Sequence, residues 1–154
     1  MAAYFFDSSA LVKRHVRETG TAWVIGLMRS PATERLYIAR IALVEIISAF
    51  ARRQRGQTLS PAEAGKATAR FRRNFDRKYF KIDITNRLIE RAAALAEKHA
   101  LRGYDAMQLA AALETNDRRL AIGASPLTLI SADDALNAAA MLEGLSVGNP
   151  NLHP

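Results

Sequence analysis

The sequence predicts an α/β fold in which a parallel sheet is flanked by helices, and three observations carry that expectation. Short apolar strand signals alternate with longer segments of helical periodicity. Two of the strands share one grammar: "YFFDSSALV" and "LTLISADDAL" each run from an apolar strand through small polar residues and an aspartate into a new helix. The chain of 154 residues is long enough to bury a core as one domain, and it contains no linker, low-complexity tract or internal repeat.

Taken in order, Tyr4, Phe5 and Phe6 form the first strand, and Ser8 or Ser9 starts the helix behind it. "TAWVIGLMRS" reads as a second helix broken by Pro31, and "RLYIAR" as a short strand. "ALVEIISAFARRQ" is a helix because Leu43, Ile46, Ile47 and Phe50 fall on one stripe, and Gly56 opens the turn after it. In "SPAEAGKATARFRRNFDRKYF", Ser60 as cap, Pro61 at the first helical position and Glu63 three residues after the cap make a capping box. "FKIDI" is a strand, "TNRLIERAAALAEKHAL" a helix with Gly103 as its stop, and "YDAMQLAAALET" an Ala-rich helix. "LTLIS" is the last strand and "ADDALNAAAML" the last helix, so the domain spans residues 1–145 and "SVGNPNLHP", residues 146–154, is a loose tail.

Composition bounds the chemistry. With 49% hydrophobic and 24% charged residues the chain is an ordinary globular protein. The absence of cysteine excludes disulfides, thiolate metal sites and cysteine nucleophiles, and no apolar stretch approaches a membrane span, which together point to the cytoplasm. The net charge of +7 is concentrated: residues 52–81 hold ten of the 22 basic residues against Glu63 and Asp76, so the remainder nets −1. Such a basic face suits a polyanion, with Arg72 and Arg73 as candidate RNA contacts. Phe71, Phe75 and Tyr79 recur at helical spacing, so these rings are expected to be a buried stripe rather than a stacking surface.

The acids carry the functional signal. Asp7 and the doublet Asp133 and Asp134 follow strands, so in a parallel sheet they project from one edge, where open α/β sheets bind ligands. Glu45 interrupts an apolar helix, and Asp105 heads the Ala-rich one. Singly, each has an ordinary structural reading: Asp7, Asp105 and one of the doublet as helix caps, Glu45 as a solvated residue. Together, carboxylates converging on one edge repel one another unless a cation sits among them. Mg²⁺ or Mn²⁺ suits oxygen donors, whereas zinc would want histidine or cysteine, and His15, His99 and His153 have no ligand spacing.

In this order "FFDSSALVKR", "LVEIISA", "GYDAMQLAAAL" and "LISADDAL" resemble the four acidic motifs of PIN-domain ribonucleases, in particular the VapC-type toxins of toxin–antitoxin pairs, over residues 3–145. The resemblance implies a single-domain PIN-like fold, a Mg²⁺- or Mn²⁺-dependent endoribonuclease site, homodimerisation and a cognate antitoxin. By position it makes Asp7, Glu45, Asp105 and Asp133 the metal-holding, catalytic acids, with Asp134 leaving the fourth position open by one residue. Ser131 stands where the family often has threonine, and Ser9 would orient the first acid or a metal-bound water. The rival from another class is a non-catalytic PIN-like module that binds RNA or protein. A phospho-accepting receiver domain is disfavoured because serines, not a second acid, follow Asp7 and no lysine follows "LTLIS"; a serine hydrolase is disfavoured by the lack of a G-x-S-x-G element.

Overall fold

The computed structural model describes residues 1–154, the side chain of Glu34 excepted. The strands are β1 (Ala2–Phe6), β2 (Thr33–Ala39), β3 (Phe80–Ile82), β4 (Leu127–Ile130) and β5 (Ser146–Gly148). The helices are α1 (Ser8–His15), α2 (Thr21–Arg29), α3 (Ala42–Arg55), α4 (Pro61–Arg77), α5 (Asn86–His99), α6 (Gly103–Ala121) and α7 (Asp134–Leu142). All strand pairs are parallel, in the order β3-β2-β1-β4-β5. From β1 the chain builds outward on one side through β2 and β3, then crosses to the other side for β4 and β5. The order therefore reverses between β1 and β4, and their carboxyl ends flank the crevice that such a switch point creates.

Both faces of the sheet are covered, which explains the nearly continuous apolar strands. Ala3, Phe5, Leu127 and Leu129 face a core closed by α5, α6 and α7, in which Leu109 to Ala112 are fully buried. Phe6 and Ile130 face the opposite core, with Leu11 of α1, Ile46 and Phe50 of α3 and Phe71 and Phe75 of α4. Burying Phe71, Phe75 and Tyr79 bears out the stripe reading of these rings, while Phe80 lies half exposed under the Arg35 guanidinium. The capping box at Ser60 forms with both reciprocal bonds, Glu63 N to Ser60 Oγ at 3.1 Å and Ser60 N to Glu63 Oε2 at 2.7 Å. Among the described residues, no helix is long and apolar enough to cross a membrane.

Three expectations are corrected. Gly103 does not stop α5; it begins α6. The reversal is made by Ala100, which adopts the left-handed conformation at φ 52°, and Leu101 packs against the core between the two helices. α6 continues past Thr115 to Ala121, because its polar residues find partners. The Asn116 side chain accepts from Leu127 N, and buried Arg119 donates to Ser125 O and to the Tyr37 hydroxyl. Finally, residues 146–154 are no loose tail. β5 extends the sheet beside β4, and a 3₁₀ turn at Pro150–Leu152 follows it. His153 stacks on Trp23 of α2 at 4.1 Å, and Asn151 donates to Ala132 O. The short polar stretch lacked a periodicity to betray this, since its order comes from docking.

The tail's seat depends on Gly20, at φ +86°, where an added Cβ would lie 2.4 Å from Pro150 O. Gly20→Ala is expected to destabilise the protein by more than about 1 kcal/mol, lowering the melting temperature in a thermal unfolding scan by roughly 2–4 °C or more. Gly26→Ala, inside the helix that Gly20 caps and with nothing within 4 Å of the new Cβ, is expected to raise it, by about 0.5–1 kcal/mol of stability.

Candidate active site

Asp7 occupies the first position beyond β1, and its N–H continues the ladder by donating to Ile130 O at 3.0 Å. It caps α1, accepting from Ser9 N at 3.3 Å, so the capping and site readings of this residue hold together. Its side chain is buried, and Oδ2 also accepts from Ser9 Oγ at 2.5 Å and from Ser131 Oγ at 3.1 Å. Ser9 Oγ in turn accepts from Ala132 N at 2.9 Å, and Ser131 Oγ from Asp133 N at 3.1 Å. Two serines therefore tie the end of β1 to the loop after β4. Asp133 caps α7, accepting from Leu136 N at 2.8 Å.

An open crevice of about 440 Å³ lies over this junction, lined by Asp7, Ser9, Glu45, Asp105 and Asp133 among others. Asp133 rather than Asp134 faces it; Asp134 is exposed and accepts from Asn149. Ser131 is fully buried behind Asp7. Asp105 lies in the first turn of α6 without capping it. Glu45 is half-buried rather than freely solvated, and its Oε1 accepts from Gln108 Nε2 at 2.7 Å. Arg72 and Arg73 are exposed on α4 and do not line the crevice. Its cations are Arg52 and Arg102.

Gln108 escaped the sequence reading. It is fully buried on α6, one turn after Asp105, and Nε2 donates to both Glu45 Oε1 and Ser8 Oγ, at 2.7 and 3.1 Å. The available signal was a polar amide on the inward face of an Ala-rich helix, since most buried polar groups are hydrogen-bonded, as Nε2 is here while Oε1 has no partner.

Asp7, Glu45 and Asp105 are held protonated more readily than free carboxyls. Burial raises Asp7 above the ordinary carboxylate range, against the hydrogen bonds of Ser9 and Ser131. Burial also pushes Glu45 to about 7, against the Gln108 bond and aided by the charges of Asp7 and Asp105. Asp105 is raised to about 6 by burial and then by the charges of Asp133 and Asp7. A site that penalises its own negative charge favours a cation, and its donors are all oxygens. No histidine joins them: His15 sits against Phe50 and Phe71, His99 pairs with Glu143 and His153 stacks on Trp23. Among the described residues no three acids stand close enough to clasp an ion by themselves.

Since the folded state binds protons at Glu45 and Asp105 more tightly than the unfolded chain, these groups cost stability as pH rises, from about 4.5 to 7 for Glu45 and from about 3.8 to 6 for Asp105. In EDTA, urea unfolding is expected to give a lower stability at pH 7.5 than at pH 5 from this source, and Glu45→Gln is expected to flatten the difference.

The PIN domain family model matches residues 4–142 of the chain. Two relatives, Ribonuclease VapC45 and Ribonuclease VapC49 of Mycobacterium tuberculosis, are each 31% identical over 122 residues, covering 79% of this chain and 83% of the relative. The fold is similar to that of a toxin–antitoxin complex from Klebsiella pneumoniae, with a TM-score of 0.63 and 18% identity over 96% of this chain and 97% of that one. It is also similar to VapBC2 from Rickettsia felis bound to a promoter DNA fragment, with a TM-score of 0.62 and 13% identity over 96% and 98%.

Proposed function

This chain belongs to the PIN domain family, and we propose that it is a divalent-metal-dependent endoribonuclease, the toxin of a toxin–antitoxin pair. The observation that carries the reading is the gathering of Asp7, Glu45, Asp105 and Asp133 from four separate chain segments around one crevice at the sheet's switch point. The resistance of Asp7, Glu45 and Asp105 to ionising together, with all-oxygen donors, supports Mg²⁺ or Mn²⁺ as the cofactor. RNA is the proposed substrate, and the proposed protein partners are an antitoxin and a second copy of the chain.

Asp7, Glu45, Asp105 and Asp133 would hold the ion directly or through water. When bound, such an ion activates water as a nucleophile, orients a phosphodiester and offsets the charge that develops on it. The chain's own residues prepare for this. Ser9 and Ser131 fix the Asp7 carboxylate through Oδ2. Gln108 fixes Glu45 at Oε1, and by holding both Glu45 and Ser8 it sets the distance between α3 and the start of α1. Asp105 and Glu45 would have to give up their protons to hold a cation, so ion binding would be tighter at higher pH. Attack by water rather than by the ribose 2′-hydroxyl leaves a 5′-phosphate and a 3′-hydroxyl.

Incubation of the purified protein, free of antitoxin, with transfer and ribosomal RNAs in Mg²⁺, Mn²⁺ or EDTA tests the reading. Cleavage is expected only with metal, and mapped ends should carry a 5′-phosphate; a 2′,3′-cyclic phosphate would overturn water attack. Asp7→Asn and Asp105→Asn are each expected to abolish cleavage without lowering the melting temperature, since removing one of several repelling carboxylates relieves the fold. Full activity in either variant would remove that residue from the site.

The exposed arginines of α4 make a separate expectation. Neutralising Arg72 and Arg73 together should weaken RNA binding and make the dependence of log K on log salt shallower by roughly 0.7 per lost phosphate contact. An unchanged slope would put both outside the RNA footprint.

A further inference from the structure

Arg52 of α3 and Arg102 of the α5–α6 turn line the same crevice as the four acids, yet neither is paired with any of them. Among the described residues, the Arg52 guanidinium bonds only to Ser48 Oγ, at 3.3 Å, and Arg102 forms no ion pair. The Arg102 charge only partly offsets the upward shift of Asp105, and with no ion pair formed both cations can meet an anion arriving from solution.

Two residues after Arg102 in the chain is Tyr104, an aromatic side chain left 57% exposed. It lines the acid crevice on one side and, on the other, a second depression of about 340 Å³ between α5 and α6, walled by Ile89, Ala93, Ala106 and Met107. Gly103 and Tyr104 belong to both, so the two spaces adjoin there. The depression's walls carry no charged or amide side chain. It can take a flat, mostly apolar face and read no hydrogen-bond pattern on it.

We propose that Tyr104 and this depression form a nucleobase subsite, which receives one unpaired nucleotide flanking the scissile phosphodiester while Arg102 holds the phosphate between the two. The assignment rests on the ribonuclease reading above and adds to it the part of the substrate gripped outside the acids. A nucleobase joins an apolar face to a phosphate, and the surface offers partners for both within one turn of helix. Base stacking on an aromatic ring is sequence-tolerant, as suits walls without donors or acceptors, and it requires the base to be unstacked from its neighbours, as in single-stranded loops. A second copy of the chain fits less well. It would bring an apolar face to the depression but no phosphate to Arg102.

The test uses the full-length Asp7→Asn variant, to prevent turnover, with Mg²⁺ and a set of single-stranded RNA hexamers carrying 2-aminopurine at each position in turn. One position is expected to be quenched on binding. Tyr104→Ser should abolish that quenching and raise the Kd from fluorescence anisotropy roughly tenfold, whereas Tyr104→Phe should stay within about twofold, since stacking needs the ring and not the hydroxyl. An abasic residue at the quenched position should cost the unsubstituted protein a similar factor, and Arg102→Gln should make the salt slope shallower by roughly 0.7. Because Tyr104 is exposed, a melting curve for each variant checks that the fold is kept. If RNA binds but no position is quenched and Tyr104→Ser binds as tightly, the subsite is wrong while the ribonuclease reading stands. If sedimentation velocity shows that Tyr104→Ser dissociates an oligomer with RNA affinity unchanged, the depression is an interface between copies and the subsite is again wrong. If no form binds RNA and the wild type cuts none, the ribonuclease reading fails, and the subsite with it.

Discussion

The buried carboxylate of Asp7 is the constraint around which the rest of the molecule is arranged. Taking a carboxylate out of water is costly unless it is hydrogen-bonded, and hydrogen bonds to the charged form offset only part of the cost. Here the donors are Ser9, the second residue of the next helix, and Ser131, just past a neighbouring strand. Supplying both requires β1 and β4 to be adjacent, parallel and in register, which the pairing of Phe6 with Ile130 achieves. The same serines accept from Ala132 N and Asp133 N, so the bonds that anchor the first acid also aim the fourth. Sheet order, strand register and site geometry are one problem with one solution.

Helix α6 solves the corresponding problem on the other side of the crevice. Asp105 must approach Glu45 and Asp7, and the helix carrying it must therefore lie close to the sheet. A run of alanines from Ala110 to Ala112, all fully buried, lets the backbone come near, and Gln108 uses the proximity to bridge α3 and α1. The tail works from the far edge. β5 receives Ser131 N at Gly148 O, and Asn151 holds Ala132, so the loop that carries Ser131 and Asp133 is pinned from both sides. Stability held in the two apolar cores, and in these pins, offsets the repulsion concentrated at the site. A structure that violates local economy at one place, and compensates elsewhere, is the usual signature of function.

Much of this was legible. The two strand-to-aspartate-to-helix junctions placed Asp7 and Asp133 at one sheet edge, and the capping box at Ser60 located α4 to the residue. Treating capping and site roles as alternatives was the wrong opposition, because an N-cap aspartate uses its carboxylate on backbone N–H groups and still presents it at a strand's end. Gly103 misled because glycine commonly ends helices, whereas here Ala100 takes the left-handed turn and Gly103 opens the next helix. The tail and the far end of α6 were hidden for a shared reason: their order comes from partners distant in sequence, His153 on Trp23 and Arg119 on Tyr37, and local pattern records none of that.

Charge shows most clearly what a linear reading loses. The densest basic run, residues 52–81, marks where cations are numerous, yet of its ten only Arg52 lines the crevice, and the other crevice cation, Arg102, comes from outside it. Density along the chain says that a polyanion is welcome; direction, which only folding supplies, says where it is held. The crevice keeps both signs of charge within reach of each other without letting them pair. Had Arg52 or Arg102 closed on Glu45 or Asp105, a bidentate guanidinium would have satisfied the acids and left no unmet negative charge for another cation. The Ser48 bond draws Arg52 along its own helix, and Arg102 sits on the turn before α6, at the rim rather than the floor. The acids thereby keep their demand for a cation and the arginines theirs for an anion, and a phosphodiester chain accompanied by a divalent ion satisfies the two at once.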